Sequence, residues 1–106
     1  MNIKLIYMYR DAGNYKQFGE IIFGNSELLS VCEIKDAAKI AAFDELWFNP
    51  KKINVHPLHA YVYDNDLDHD LHEILDFEET TLNINDQLNR SISNFLYDLK
   101  NTPFFK

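Results

Sequence analysis

Apolar and polar residues alternate with period two from Asn2 to Tyr9. Ile3, Leu5, Tyr7 and Tyr9 fall on one side, and Asn2, Lys4, Ile6 and Met8 on the other. That period, carried by β-branched and aromatic residues, predicts a strand, and Ile6 and Met8 predict that its second side is largely covered too. Arg10 to Lys16 reads as a loop with Gly13-Asn14 as its turn signal. Gln17–Phe23 reads as a second strand ended by Gly24-Asn25, so an antiparallel hairpin is expected.

The period then changes. Ser30-Val31-Cys32-Glu33 has the form of a capping box, in which the Ser30 hydroxyl takes the Glu33 N–H and the carboxylate reaches back. Leu29 and Ile34 are placed for a hydrophobic staple around that cap. Val31, Ile34, Ala38 and Ala41 recur at helical spacing opposite Lys35, Asp36 and Lys39, and the small alanines allow the helix to lie close to a sheet. Trp47 and Phe48, ahead of Asn49-Pro50, read as core anchors. Residues 58–63 predict a third strand and 71–79 a fourth. In the fourth, Leu71, Glu73, Leu75 and Phe77 would share one face, and His72, Ile74, Asp76 and Glu78 the other. Ser91 is an N-cap residue, followed by Ile92, Phe95, Leu96 and Leu99 as the stripe of a short amphipathic helix. The order ββαββα predicts an α+β fold, a small antiparallel sheet with two helices on one face.

Length and charge narrow the function classes. A chain of 106 residues with 46% apolar and 25% charged residues is expected to be one domain, 1–106, with a packed core rather than a disordered segment. No apolar run reaches membrane-spanning length, and Met1-Asn2-Ile3-Lys4-Leu5 leading into Tyr7, Tyr9, Arg10 and Asp11 does not resemble a secretory leader. The single Cys32 excludes an internal disulfide and suits a reducing compartment, so a cytoplasmic protein is expected. The net charge of −7 is concentrated: residues 1–52 are neutral, 53–89 hold nine acids and no Lys or Arg, and 90–106 are net +2. A stretch without cations cannot pair its own carboxylates, which are expected to face water, a metal or a basic partner. Direct nucleic-acid binding is not expected, because phosphate contact needs clustered Lys and Arg.

Two places carry candidate chemistry. The four histidines lie at His56, His59, His69 and His72; with Asp68, the set His59, His69 and His72 has donors suited to a first-row divalent metal. On a strand, however, positions three apart point to opposite faces, which works against convergence of His69 and His72. Asp64-Asn65-Asp66-Leu67-Asp68-His69-Asp70 starts like a calcium loop. It lacks the glycine at its sixth position, where His69 stands, and the glutamate at its twelfth, where Leu75 stands, so an EF-hand is excluded. No phosphate-binding glycine loop, nucleophile elbow or His-Glu-x-x-His is present, and neither catalysis nor a cofactor is expected. The second place is the hairpin loop. Tyr9, Arg10, Asp11, Asn14, Tyr15 and Lys16 suit an anionic or aromatic ligand, through charge-assisted bonds from Arg10 and stacking on tyrosine.

Tyr9-Arg10-Asp11-Ala12-Gly13-Asn14-Tyr15-Lys16, then Gly19-Glu20, and later Leu67-Asp68-His69 and His72-Glu73, resemble an uncharacterised family of small bacterial proteins. Its members look like this over most of the chain, with a Tyr-Arg-Asp-Ala-x-Asn-Tyr-Lys opening and a later Leu-Asp-His-x-x-His-Glu element. The resemblance implies positions, the hairpin loop and the His69–Glu73 turn, rather than an activity. The expectation is a non-catalytic acidic binding protein of the inhibitor or adaptor type, compatible with a phage or mobile-element origin. It would present Asp64, Asp66, Asp68, Asp70 and Glu73 to a protein partner with a basic surface. Two alternatives stand beside it: a module sequestering a small anion such as a nucleotide through the 9–16 loop, and a metal-dependent hydrolase using the histidines.

Overall fold

The computed structural model describes residues 1–10, 15–42, 45–58 and 71–102. In chain order the elements are β1 (Asn2–Arg10), β2 (Lys16–Phe23), α1 (Val31–Ala41), β3 (Trp47–Phe48), a 3-10 turn at Pro50–Ile53, β4 (His72–Thr80) and α2 (Ile92–Asn101). They build one antiparallel sheet in the order β2-β1-β4-β3. The fold is α+β and its element order is ββαββα, as the periodicities predict.

The hairpin pairs Ile3 with Phe23 through to Arg10 with Lys16. Ile3, Leu5, Tyr7 and Tyr9 are all buried. Both helices supply their apolar stripes to the same core: Ile34, Ala38 and Ala41 from α1, and Ile92, Phe95, Leu96 and Leu99 from α2. They meet there Ile3, Leu5, Tyr7, Ile21, Phe23 and Phe77 from one face of the sheet. The cap residues act as their chemistry dictates. Ser30 Oγ accepts from Glu33 N–H at 3.1 Å and Ser91 Oγ from Asn94 N–H at 3.2 Å, each satisfying an amide that the first helical turn leaves without a partner.

Three expectations change. The third strand of the described sheet is Trp47–Phe48, which no period marks; of the strand expected over 58–63, Leu58 lies outside any strand and 59–63 fall outside the described residues. Trp47 and Phe48 do serve as anchors, Phe48 fully buried and Trp47 partly, but they do so while pairing with β4. The faces of β4 also differ from a simple alternation. Ile6 pairs with Asp76 whereas Tyr7 pairs with Ile74, so Leu75 is an extra residue, a β-bulge. The bulge turns His72 and Ile74 onto the core face with Phe77, puts Glu73 on the face of Asp76 and Glu78, and leaves Leu75 exposed.

The acidic stretch is the third. Among the described residues, four of its five carboxylates are met by cations of the chain itself, Asp76 and Glu78 while still half-exposed, and Asp64, Asp66, Asp68 and Asp70 fall outside the described residues. Glu73 pairs with Arg10 at 3.7 Å, Asp76 with Lys35 at 2.9 Å, Glu78 with Lys4 at 3.5 Å and Asp86 with Arg90 at 2.8 Å. Charge counted along a sequence window misses the first three of these pairs, since strand pairing and helix packing join residues distant in the chain; Asp86 and Arg90 are only four residues apart, across the edge of the window.

Candidate functional site

Strand ends meet at one corner of the sheet. β1 finishes with Tyr9-Arg10 and β4 begins with His72-Glu73, and the antiparallel register sets Met8 opposite Glu73. β3 reaches the same point, with Trp47 opposite Glu73 and Phe48 opposite His72. On the other side of β1, Lys16 stands opposite Arg10, and Tyr15 just before it is 73% exposed. The structure thus brings together Tyr9, Arg10, Lys16, His72 and Glu73, which link the two sequence motifs. Asp11, Asn14, His59, Asp64, Asp66, Asp68, His69 and Asp70 lie outside the described residues.

The two faces of this corner differ in chemistry. On the core face His72 is fully buried against the Tyr9 ring at 4.9 Å, with Tyr7 and Phe48 each at 6.2 Å. Its Nε2 accepts the Leu58 N–H at 3.0 Å, so that lone pair is engaged in holding the chain after the 3-10 turn against the sheet. A nitrogen used in this way does not serve as a metal donor. Among the described residues no group of three His, Cys, Asp or Glu side chains is arranged to hold an ion. Tyr7 beside it donates its hydroxyl to His56 O at 2.8 Å, and burial pushes its pKa up to about 12.

On the opposite face Glu73 is only 7% exposed, although it is a carboxylate near a sheet end. Arg10 Nε lies 3.7 Å from Oε2, close enough for attraction and too far for a hydrogen bond, and among the described residues the buried Oε2 has no hydrogen-bond donor. A buried carboxylate oxygen without a donor is costly and uncommon in native structures.

No family model, curated protein or solved structure matches the chain. The site is therefore read from its own geometry.

The strongest ionic network lies elsewhere. Arg90 is buried and grips Asp86 with two donors, Nε to Oδ2 at 2.9 Å and Nη2 to Oδ1 at 2.8 Å. Its Nη1 also donates to Ile53 O at 2.8 Å and Asp98 Oδ2 at 3.1 Å, and the guanidinium lies over the rings of Phe23 and Phe95. Burial alone would raise the Asp86 pKa, but hydrogen bonds from the Arg90 side chain and backbone, with its charge, hold it below the ordinary value. This network joins the 3-10 turn, the loop before α2 and the helix itself. It is a structural clamp. The sequence signal for it is the spacing Asp86-x-x-x-Arg90 directly before the Ser91 cap, and the reading of charge blocks passed over it.

Midway along α1, Lys35 hydrogen-bonds Asp76 at 2.9 Å, which raises the lysine's pKa and lowers the acid's. Cys32 is exposed in the first turn of the same helix. Among the described residues no helix is long and apolar enough to cross a membrane.

Proposed function

We propose that this chain is a non-catalytic cytoplasmic binding protein that holds a basic segment of a protein partner at the Arg10–Glu73 corner. The observation that carries this reading is Glu73 Oε2, a buried acceptor without a donor among the described residues. A guanidinium or ammonium group from outside would supply the missing hydrogen bond, and such charge-assisted bonds are about twice as strong as neutral ones. The net charge of −7 favours encounter with a cationic surface. Because Asp76, Glu78 and Asp86 are paired within the chain, the acids of 53–89 left for a partner narrow to Glu79, the Asp64, Asp66, Asp68 and Asp70 group, and Glu73, whose contact with Arg10 is longer than a hydrogen bond.

The test is capture from extract of the host. Wild-type chain should retain a basic protein that elutes with salt. Glu73→Gln, and separately Asn at all four of Asp64, Asp66, Asp68 and Asp70, should lose it while keeping the native far-UV circular dichroism spectrum. Capture that neither change weakens would refute the reading.

One observation favours a second reading. Arg10 and Lys16 stand opposite each other next to the exposed Tyr15, an arrangement that suits a small anion such as a nucleotide. Stabilisation by a nucleotide in a thermal-shift screen, lost in Arg10→Ala, would favour it; a response surviving that change would place the ligand elsewhere.

A further inference from the structure

β2 is an edge strand whose neighbour in the sheet is β1. At Ile22 the backbone turns outward: its N–H donates to Asn85 Oδ1 at 2.8 Å and its carbonyl accepts from Asn85 N–H at 3.1 Å. Backbone direction alternates along an antiparallel strand. The N–H and C=O groups of Lys16, Phe18 and Glu20 therefore point to the same outer edge, while Gly19 and Ile21 bond to β1 opposite Tyr7 and Leu5. Beyond Ile22 the edge is closed, since Gly24 N–H donates to Arg90 O and Gly24 O accepts from Ile92 N–H. Before it, among the described residues, the edge is open: nothing takes the outward groups of Phe18 and Glu20.

Open edges are templates for another strand, and natural proteins usually blunt them. This one carries a self-complementary pattern. Lys16, Phe18 and Glu20 share a face, and Phe18 is 62% exposed. Laid antiparallel on itself about a two-fold axis at Phe18, the segment sets Lys16 opposite Glu20 twice, Phe18 opposite Phe18, and Gln17 opposite Gly19. A shift of the axis by one residue to Gly19 sets Phe18 against Glu20 and brings Lys16 against Ile22, which Asn85 already occupies. Charge and the Asn85 clamp thus favour the Phe18 axis over the Gly19 axis. Glu20 does lie 3.7 Å from Lys4 of its own chain, but its side chain is 57% exposed and a carboxylate has acceptor capacity for a second cation.

We propose that the β2 edge is a self-association surface: two copies of this chain pair antiparallel through Lys16–Glu20, joining their two four-stranded sheets into one. The interface is short, so the dimer is weak and concentration-dependent. It forms on the far side of β1 from Glu73 and does not depend on the proposed partner.

Sedimentation velocity and native mass spectrometry between about 10 µM and about 1 mM, the range suited to a small interface, test it. Wild-type chain should pass from monomer to dimer. Lys16→Glu places like charges opposite each other twice and should raise the dimer Kd about tenfold or more; Glu20→Lys should do the same. The double variant K16E/E20K restores opposite charges and should return to within about threefold of wild type. Phe18→Pro removes an outward N–H without touching the bonds to β1, so it should keep the fold and abolish the dimer. Circular dichroism and the thermal midpoint verify folding of each variant. A monomer throughout the range would overturn the proposal. So would a dimer indifferent to Lys16→Glu, which would use another surface such as the groove lined by Ile40 and Tyr97 between the helices. A double variant no better than either single change would overturn the register.

Discussion

Replacing Arg90 with methionine is the perturbation whose outcome the structure dictates most sharply. Methionine fills much of the same volume beside Phe23 and Phe95 but removes every donor. The Asp86 side chain, with no exposed surface, would keep its charge and lose its cation, and Ile53 O would lose its donor at 2.8 Å. Breaking a buried ion pair from one side costs about 3–5 kcal/mol, because the remaining charge stays desolvated. An orphaned buried carbonyl adds about 1 kcal/mol or more, although the two are not strictly additive. Against a total stability of about 5–15 kcal/mol for a domain, the variant should lose on the order of 4 kcal/mol. That loss would lower Tm by roughly 15–20 °C. Urea unfolding followed by tryptophan fluorescence measures it through the midpoint, with an unchanged slope.

The pH dependence supplies the sign. In the wild type the Asp86 pKa is held below its unfolded value, so its contribution is present above the unfolded pKa, about 4, and fades as pH falls through the lower folded value. In Arg90→Met the same carboxyl is buried without a cation, and protonation relieves it. The stability gap between wild type and variant should therefore narrow towards acid. A loss below about 1 kcal/mol at neutral pH, typical of exposed pairs, would refute the reasoning, as would a gap that widens in acid.

Two further outcomes follow from the corner of the sheet. Among the six tyrosines, Tyr7 should ionise at about pH 12 in a spectrophotometric titration of folded protein. Because that folded pKa is raised, its contribution is full below the unfolded value of about 10 and lost as pH rises towards 12; Tyr7→Phe should flatten this alkaline slope. Gly19→Ala would bring a Cβ within 2.8 Å of Leu58 Cδ2 and of the buried Tyr7 ring. It should destabilise by about 1–3 kcal/mol, and pairing it with Leu58→Ala should recover part of that loss in denaturant titrations.

The legible part of the fold was what local physics determines. Periodicity marked β1, and the caps at Ser30 and Ser91 marked both helices, because a side chain bonding an amide two or three residues on leaves a local signature. The β4 faces were not legible. A bulge at Leu75 arises from pairing against Ile6 and Tyr7, and nothing in His72–Thr80 alone signals it. The Trp47–Phe48 strand was not legible for a related reason: two residues are too short to show a period, and they form a strand because β4 lies beside them. At the candidate site, the residues that the structure brings together come from the two motifs. Their meeting at Arg10 and Glu73 depends on sheet register, as does the pairing of Glu78 with Lys4, and Asp76 meets Lys35 through the packing of α1 on β4.

The most direct test of the binding corner uses its simplest cationic probe. Argininamide titrated into isotopically labelled protein, followed by amide chemical shifts, asks whether Glu73 accepts an external guanidinium. The expected result is saturable shifts centred on Met8, Arg10, Trp47 and Glu73, suppressed by salt and lost in Glu73→Gln. Shifts scattered over the surface, or a response at this corner that Glu73→Gln leaves intact, would contradict a binding site built on that carboxylate.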